Sequence, residues 1–416
     1  MADPFVEWFE AHLPLKGERH AVEWLEPRSF DWGNGLVGRL RLVFFDDDGG
    51  LASIMEGDVH LIRGEDLGVD MDVVHKALEG WAQRIRALPP EEARALDFDS
   101  VSPWAPQEAE ALEAAYAAYR DEALGPDPLA RRTRALEQGL AEAPRLEDHV
   151  REVWGLHPPP LGYLWGFCLA LRELPMSIRE APDLGPGGIL DRLSPGGWER
   201  KVADGLDERL HIRFRSDPPE FLSFGWGGSD GLHFGLWFHD ADRYAGVVAN
   251  YARDSAETWF CGPRTLDGFR HRWAYDPPPS DATGFADRAF LEELAWFAAE
   301  EARATYPVAP MPPGELLGGP MCDPPASLPG SIHERSEMYR SDPDGTRALM
   351  RQVQDDPARA LALGRELHWS DQDAVRREAG DLLVGAYLAL GRDALAQIAK
   401  VHIAHRDLRS VGVLTD

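Results

Sequence analysis

Residues 210–242 read LHIRFRSDPPEFLSFGWGGSDGLHFGLWFHDAD. Apolar and polar residues alternate on both sides of the Asp217-Pro218-Pro219-Glu220-Phe221 core, which is the period of a half-buried β-strand. Proline cannot donate to a strand ladder, so Pro218 and Pro219 belong at a strand end or a sheet edge. The core is therefore expected as a corner between two strands, with Asp217 and Glu220 in structural roles. Gly228-Ser229-Asp230-Gly231 supplies a second tight turn, and period two continues to about Phe260. The region 210–260 reads as a small antiparallel sheet.

Helical patterns surround it. Upstream, 148–154 reads as a short helix, His157-Pro158-Pro159-Pro160 as the entry to a helix at 161–174, and the Gly-rich 184–197 as loop. Downstream, 287–305 is helical. The Pro/Gly-rich 307–330 reads as a linker or surface-hugging loop, followed by helices at 344–354, 357–367 and 371–406, the last broken near Gly391. Toward the N-terminus lie a short helix at 5–12, a strand at 38–45 closed by the turn 46–50, and a hairpin partner at 59–62. Helices at 72–87, 105–123 and 129–142 follow. The expected class is α+β. An N-terminal α+β module of unassigned role spans 1–142, and a domain with a central small antiparallel sheet flanked by helices spans 145–306. A linker at 307–330 and a C-terminal helical subdomain at 331–416 complete the chain.

Composition narrows the function classes. The chain has 416 residues, 44% hydrophobic and 27% charged, as ordinary globular proteins do. Its formal net charge of −28 argues against direct nucleic-acid binding and favours basic partners. No apolar run reaches the length of a membrane span, and the N-terminus lacks the basic-then-apolar pattern of a signal peptide, so a cytoplasmic location is expected. Cys168, Cys261 and Cys322 are widely spaced and free of CxxC pairing, and read as buried thiols.

Several motifs look chemical. Gly227–Gly231 matches the G-x-S-x-G nucleophile elbow, but the following residues alternate as a strand does, so a hairpin turn is expected. Gly33–Gly38 matches G-x-G-x-x-G yet opens a strand where a nucleotide site needs a helix. His233 and His239 lie about 20 Å apart on one strand, too far to share a metal. His402 and His405 lack a completing carboxylate, and the Asp46–Asp48 run lacks calcium-loop spacing, so no metal site is expected. Asp355-Asp356-Pro357 has the chemistry of a helix start, with Asp as N-cap and Pro in the first turn.

The DPPEF block, with LHIRF before it and HFGLWFHDAD after it, resembles the histone PARylation factor family, including its bacterial members. Independently, Ala379-Gly380, Leu382-Leu383, Ala386-Tyr387, Leu390, Arg392, Ala396, Ile398, His402, Ala404 and Arg406 resemble that family's last helical hairpin in order and spacing. Residues 157–174 resemble the family's helix pair, itself similar to the SUKH superfamily of immunity and scaffold proteins. The resemblance covers roughly 145–275 and 345–410; residues 1–140 have no counterpart in it.

It implies an accessory protein that docks on an ADP-ribosyltransferase and lends a carboxylate to a composite active site modifying serine. The corresponding acidic pair is Asp355-Asp356, with Asp356 at the position of the lent base and one methylene shorter than the family's glutamate. Tyr339-Arg340 corresponds to the family's transferase-contacting pair, although it lies nearer the acidic pair. NAD would belong to the partner, and no cofactor of this chain's own is implied. A SUKH-like immunity or scaffold protein, capturing a basic toxin or partner on its acidic surface, stays open as the alternative. A stand-alone hydrolase rests on the Gly-Ser-Asp-Gly match alone.

Overall fold

The computed structural model describes 19–24, 29–31, 35–45, 51–61 and 106–415, apart from 183, 229, 272, 274–283 and 409. The expected helices at 5–12 and 72–87 and the turn at 46–50 lie outside the described residues. Two compact units divide the chain between Ala117 and Ala118. In the first, strand β3 (Gly35–Phe45) pairs antiparallel with β1 (Arg19–Trp24) and β2 (Ser29–Asp31) along one side. On its other side it pairs with β4 (Leu51–Leu61). The Gly33–Gly38 motif thus leads into a strand.

The second unit is an antiparallel sheet with helical layers, so the α+β class holds. Helix α1 spans Pro106–Leu124. Helix α2 (Pro128–Trp154) is a single helix, so the boundary expected at 142–145 falls inside it. Its buried residues Arg131, Ala135, Gly139, Ala143, Leu146, Val150 and Trp154 recur every three or four positions, one face of an α-helix. The stripe continues on both sides of Pro144, which lies within the helix on its exposed face. Helix α3 (Gly162–Arg172) is apolar on nearly every face and correspondingly buried, with Phe167 packed edge-on against Phe269, Phe290 and Phe297. Helices α2 and α3 approach so closely that a Cβ on Gly139 would lie 2.4 Å from the Gly162 carbonyl.

After the short helix α4 (Met176–Arg179), the stretch expected as loop at 184–197 contains strand β5 (Leu184–Pro186) and a 3-10 turn at Gly188–Leu193. Strand β6 (Lys201–Val202) pairs near the C-terminus with β13 (Leu414–Thr415). The main sheet has the order β10-β9-β8-β7-β5, from β7 (Phe221–Gly227), β8 (Leu232–Asp240), β9 (Arg243–Tyr251) and β10 (Thr258–Gly262). Strands β7 and β8 pair antiparallel as a hairpin, and Asp230 and Gly231 before β8 are both left-handed.

LHIRF, however, is not a strand. Glu208–Leu210 is a 3-10 turn, and Ile212 has φ 49, which breaks the extended run. Arg213 then turns inward to donate to the carbonyls of Pro218 and Phe221. Only the downstream side of the DPPEF corner is therefore β-structure.

Helix α5 (Phe285–Arg303) is joined to α2 through Glu293, fully buried and bonded by Arg131 at 2.6 Å and Arg132 at 2.8 Å. Residues 307–330 hug the surface as a strap that includes the small β11–β12 hairpin (Glu315–Leu316, Gly319–Pro320). Ala309 donates to the Tyr244 carbonyl, and Thr258 donates to that of Gly318, fastening the strap to the sheet. Helices α6 (Ile332–Ser341), α7 (Pro343–Val353), α8 (Pro357–Ser370), α9 (Arg376–Ala389) and α10 (Asp393–Ala404) follow. They belong to the same compact unit as the sheet, so 307–330 does not set apart a helical subdomain. No helix among the described residues is long and apolar enough to cross a membrane.

Two glycines test the packing. Gly139→Ala is expected to cost about 1–3 kcal/mol through overpacking against α3, read as a lowered urea midpoint. Nothing lies within 4 Å of a Cβ built on Gly385 in α9, so Gly385→Ala is expected to be neutral or stabilising by about 0.5–1 kcal/mol.

Candidate functional site

Two places gather chemistry-bearing side chains. The first is the DPPEF corner, where Asp217 is 0% and Glu220 2% exposed. Asp217 accepts a hydrogen bond from the Phe214 amide at 2.7 Å and faces His233 Nε2 at 2.9 Å. His233 Nδ1 donates to the Gly231 carbonyl at 2.9 Å, and its ring lies between Phe214 and Phe221. The corner is thereby sewn to β8.

It is also sewn to the helices. His368 Nε2 donates to the Asp217 carbonyl at 3.0 Å, while Arg406 Nη1 donates to His368 Nδ1 at 2.7 Å. One ring nitrogen donates and the other accepts, so His368 is held neutral. Burial, followed by the nearby charge of Arg406, pushes it well below the usual histidine value. Glu220 faces Arg365 Nε at 3.7 Å. Arg365 also donates to the Pro320 carbonyl at 2.9 Å, and its guanidinium lies 4.7 Å from the Trp237 ring. Burial alone would lower Arg365, but Glu220 and Cys322 hold it above the usual arginine value. These groups are closed off from substrate. They join layers.

The second place is a groove of 520 Å³ between α7, α8 and α9. Arg347, Met350 and Arg351 form one wall, Glu378, Asp381 and Leu382 another, and Gly385 keeps it open. Gln354 and Pro357 also line it, and they bracket Asp355-Asp356, which places the exposed acidic pair at its rim. Asp356 is the N-cap of α8: its Oδ1 accepts from the amides of Ala358 at 3.1 Å and Arg359 at 3.2 Å. Both cap bonds use Oδ1, so Oδ2 is not engaged by the helix cap. The same Asp-Pro start caps α2 at Asp127 and α7 at Asp342.

Tyr339 and Arg340 part company. Tyr339 is 1% exposed and donates to Glu366 Oε2 at 2.7 Å, within a cluster that Arg335 completes by a two-pronged bond to Glu366. Burial, then the Glu366 carboxylate, pushes its phenol well above the usual value. Its expected place in a partner contact is therefore corrected: an aromatic with a polar tip found an interior acceptor, and it is a core residue. Arg340 remains exposed, 3.5 Å from Glu337.

Sequence reasoning missed Arg213, Arg365 and Glu366 as interior charges, because nothing local distinguishes them from solvated helix or strand charges. Among the described residues no group of three or more His, Cys, Asp or Glu is placed to hold a metal ion. All three cysteines are free, and burial pushes each thiol up to about 12. Cys261 is only partly buried. No family model matches the chain, and no curated protein matches it significantly.

Removing the Glu220 carboxylate leaves Arg365 buried against no counter-charge. Glu220→Ala is expected to cost about 3–5 kcal/mol, and Glu220→Ala combined with Arg365→Met to recover part of that loss. Simple addition of the two single costs in urea titrations would refute the pairing.

Acid stability follows from the depressed groups. His368 and His402 lie well below their unfolded value of 6.5, so their contribution is full above that pH and lost progressively as pH falls from there toward their folded values. His239 and His271 act in the same direction. Glu208 is lowered from 4.5 to about 2: burial opposes the shift, and hydrogen bonds from His149 and Arg192 overcome it. Its contribution is lost only between those values. The urea midpoint should therefore fall as pH drops from about 7 toward 5; a flat midpoint there would contradict neutral interior histidines.

Proposed function

We propose that this chain is an accessory binding protein that docks on an ADP-ribosyltransferase and lends the Asp356 carboxylate to a composite active site. The observation that carries the reading is the exposed, orientation-fixed Asp356 at the rim of an open groove lined by side chains of both charges. The two-block resemblance to the histone PARylation factor family supports it. A lent base must arrive already aimed, since about 1 Å of misplacement costs roughly 10²-fold in rate. The two amide bonds to Oδ1 supply that aim.

In the proposed step a serine hydroxyl of the target attacks the ribose carbon of NAD held by the partner. The new oxygen–carbon bond forms, the bond to nicotinamide breaks, and nicotinamide leaves with the electron pair. Asp356 Oδ2 takes the serine proton. Arg340, exposed on α6, is the remaining candidate of its pair for contact with the transferase. The alternative, a SUKH-like protein that captures a basic toxin, draws on the formal net charge of −28.

The test uses the full tagged chain in its native cells. Capture should recover a transferase, and NAD-dependent labelling of serine should require Asp356. Asn is as good an N-cap as Asp, so Asp356→Asn keeps the fold and removes the base, whereas Asp356→Ala also costs about 1 kcal/mol of stability. Labelling should drop at least about 10²-fold in both variants, with only the alanine variant less stable. Unchanged labelling by Asp356→Asn, or recovery of a nuclease toxin instead, would refute the accessory reading.

A further inference from the structure

We propose that the cavity beside the C-terminal end of α10 binds a small oxyanion of the sulfate or phosphate-monoester class, and that binding is coupled to protonation of His402. The cavity measures 140 Å³ and is lined by Arg213, Arg215, His402, His405, Arg406 and Asp407. Among the lining side chains three arginines stand against one aspartate, although Asp371 and Asp373 pair with them from outside the cavity. Such a concentration of guanidinium groups is the chemistry of phosphate and sulfate recognition. The volume falls below the roughly 300 Å³ of an ordinary small-molecule pocket, so a nucleotide base or peptide does not fit and a compact ion does.

Two polar atoms of lining residues point the same way. Arg406 Nε and His402 Nδ1 are buried with no hydrogen-bond partner, on side chains that are 6% and 3% exposed. A buried donor left unpaired costs about 1–3 kcal/mol, so native structures rarely keep one without a use. The other nitrogens of Arg406 are committed, Nη1 to His368 Nδ1 at 2.7 Å and Nη2 to the His368 carbonyl at 2.6 Å. That leaves Nε. Each guanidinium nitrogen of Arg213 already donates to a carbonyl, of Arg209, Pro218 or Phe221, so Arg213 contributes charge. Arg215 is half exposed and its guanidinium is shared by Asp371, Asp373 and Asp407, so an incoming ion would compete with these carboxylates for it.

The coupling follows from what surrounds His402. Arg213 and Arg215 face it from the segment before β7, and His368 from α8 at 5.1 Å between rings. His405, Arg406 and Asp407 lie beyond its own helix, with Asp217 and Asp371 behind the arginines. Burial, then Arg213 and Arg406, keeps the ring neutral; its backbone hydrogen bond is with Phe214. A neutral Nδ1 without a proton would meet the anion with a lone pair. A protonated one donates to it, while the anion offsets the two arginines. Affinity must therefore rise as pH falls.

Sulfate is the probe, because it does not itself titrate between about pH 5 and 8. Titrated into the full chain and followed by calorimetry and histidine ring NMR, it should bind saturably. The affinity should rise by up to about tenfold per pH unit on acidification, with the His402 ring titrating at higher pH in its presence. His402→Gln can still donate to Phe214 and should bind with a flat pH profile. Arg215→Ala, on the half-exposed side of the cavity, should weaken binding about tenfold, and Arg303→Ala, an exposed residue of α5 that does not line the cavity, should change nothing. No saturation above a matched chloride control would overturn the proposal. So would binding indifferent to pH and to both cavity variants.

Discussion

Arg213, Asp217, Glu220 and Arg365 are each 7% exposed or less, and the main sheet meets the C-terminal helices where these side chains meet one another. Moving an ion out of water costs several kcal/mol even after relaxation, and the cost is offset only when partners and hydrogen bonds are all in place. Here they come from different parts of the chain. The corner supplies Asp217 and Glu220, the turn before it Arg213, α8 Arg365 and His368, and the strap the Pro320 carbonyl. Neither layer can form alone without stranding a charge in its interior. That is a physical reason for sheet, strap and helices to be one compact unit.

The same interaction decides which acidic residues are available for chemistry. The DPPEF carboxylates are the conspicuous ones in the sequence, yet they are spent internally. Asp355 and Asp356 are exposed, but Asp356 makes the same Asp-Pro helix start as Asp127 and Asp342. Helix initiation therefore accounts fully for its backbone bonds. What distinguishes Asp356 from the cap at Asp127 is the groove beside it, which Gln354 and Pro357 line on either side of the acidic pair.

Much of this was legible in the sequence. Period two found the hairpins at Phe221–Gly227, Leu232–Asp240 and Arg243–Tyr251, because both faces of a packed strand constrain every residue. The Asp356-Pro357 pair found the helix start at Pro357, because capping is local chemistry, and the helix expected from 344 starts one residue earlier at Pro343. LHIRF misled for the opposite reason: it alternates like a strand, but Arg213 is held inward by carbonyls that only the folded corner presents. The helices expected separately at 129–142 and 148–154 are one helix, whose buried stripe continues from Ala143 to Leu146 across the expected boundary. Tyr339 could not be placed at all without Glu366, which lies on another helix.

Helix α8 ties these observations into one constraint. Its first turn carries Asp356 at the groove, its middle carries Arg365 and Glu366, and its last turn sets His368 against Arg406. Fourteen residues at about 1.5 Å each make a rod of roughly 20 Å, with Ala360 through His368 buried without interruption. A helix enclosed along that length cannot bend locally without breaking the ion pairs at its centre. Its two ends can move only together. The acidic pair consequently stands at the start of a rigid element, and preorganisation of that kind is what the proposed lending of Asp356 would require. A flexible loop bearing the same two aspartates would offer the charge without the geometry.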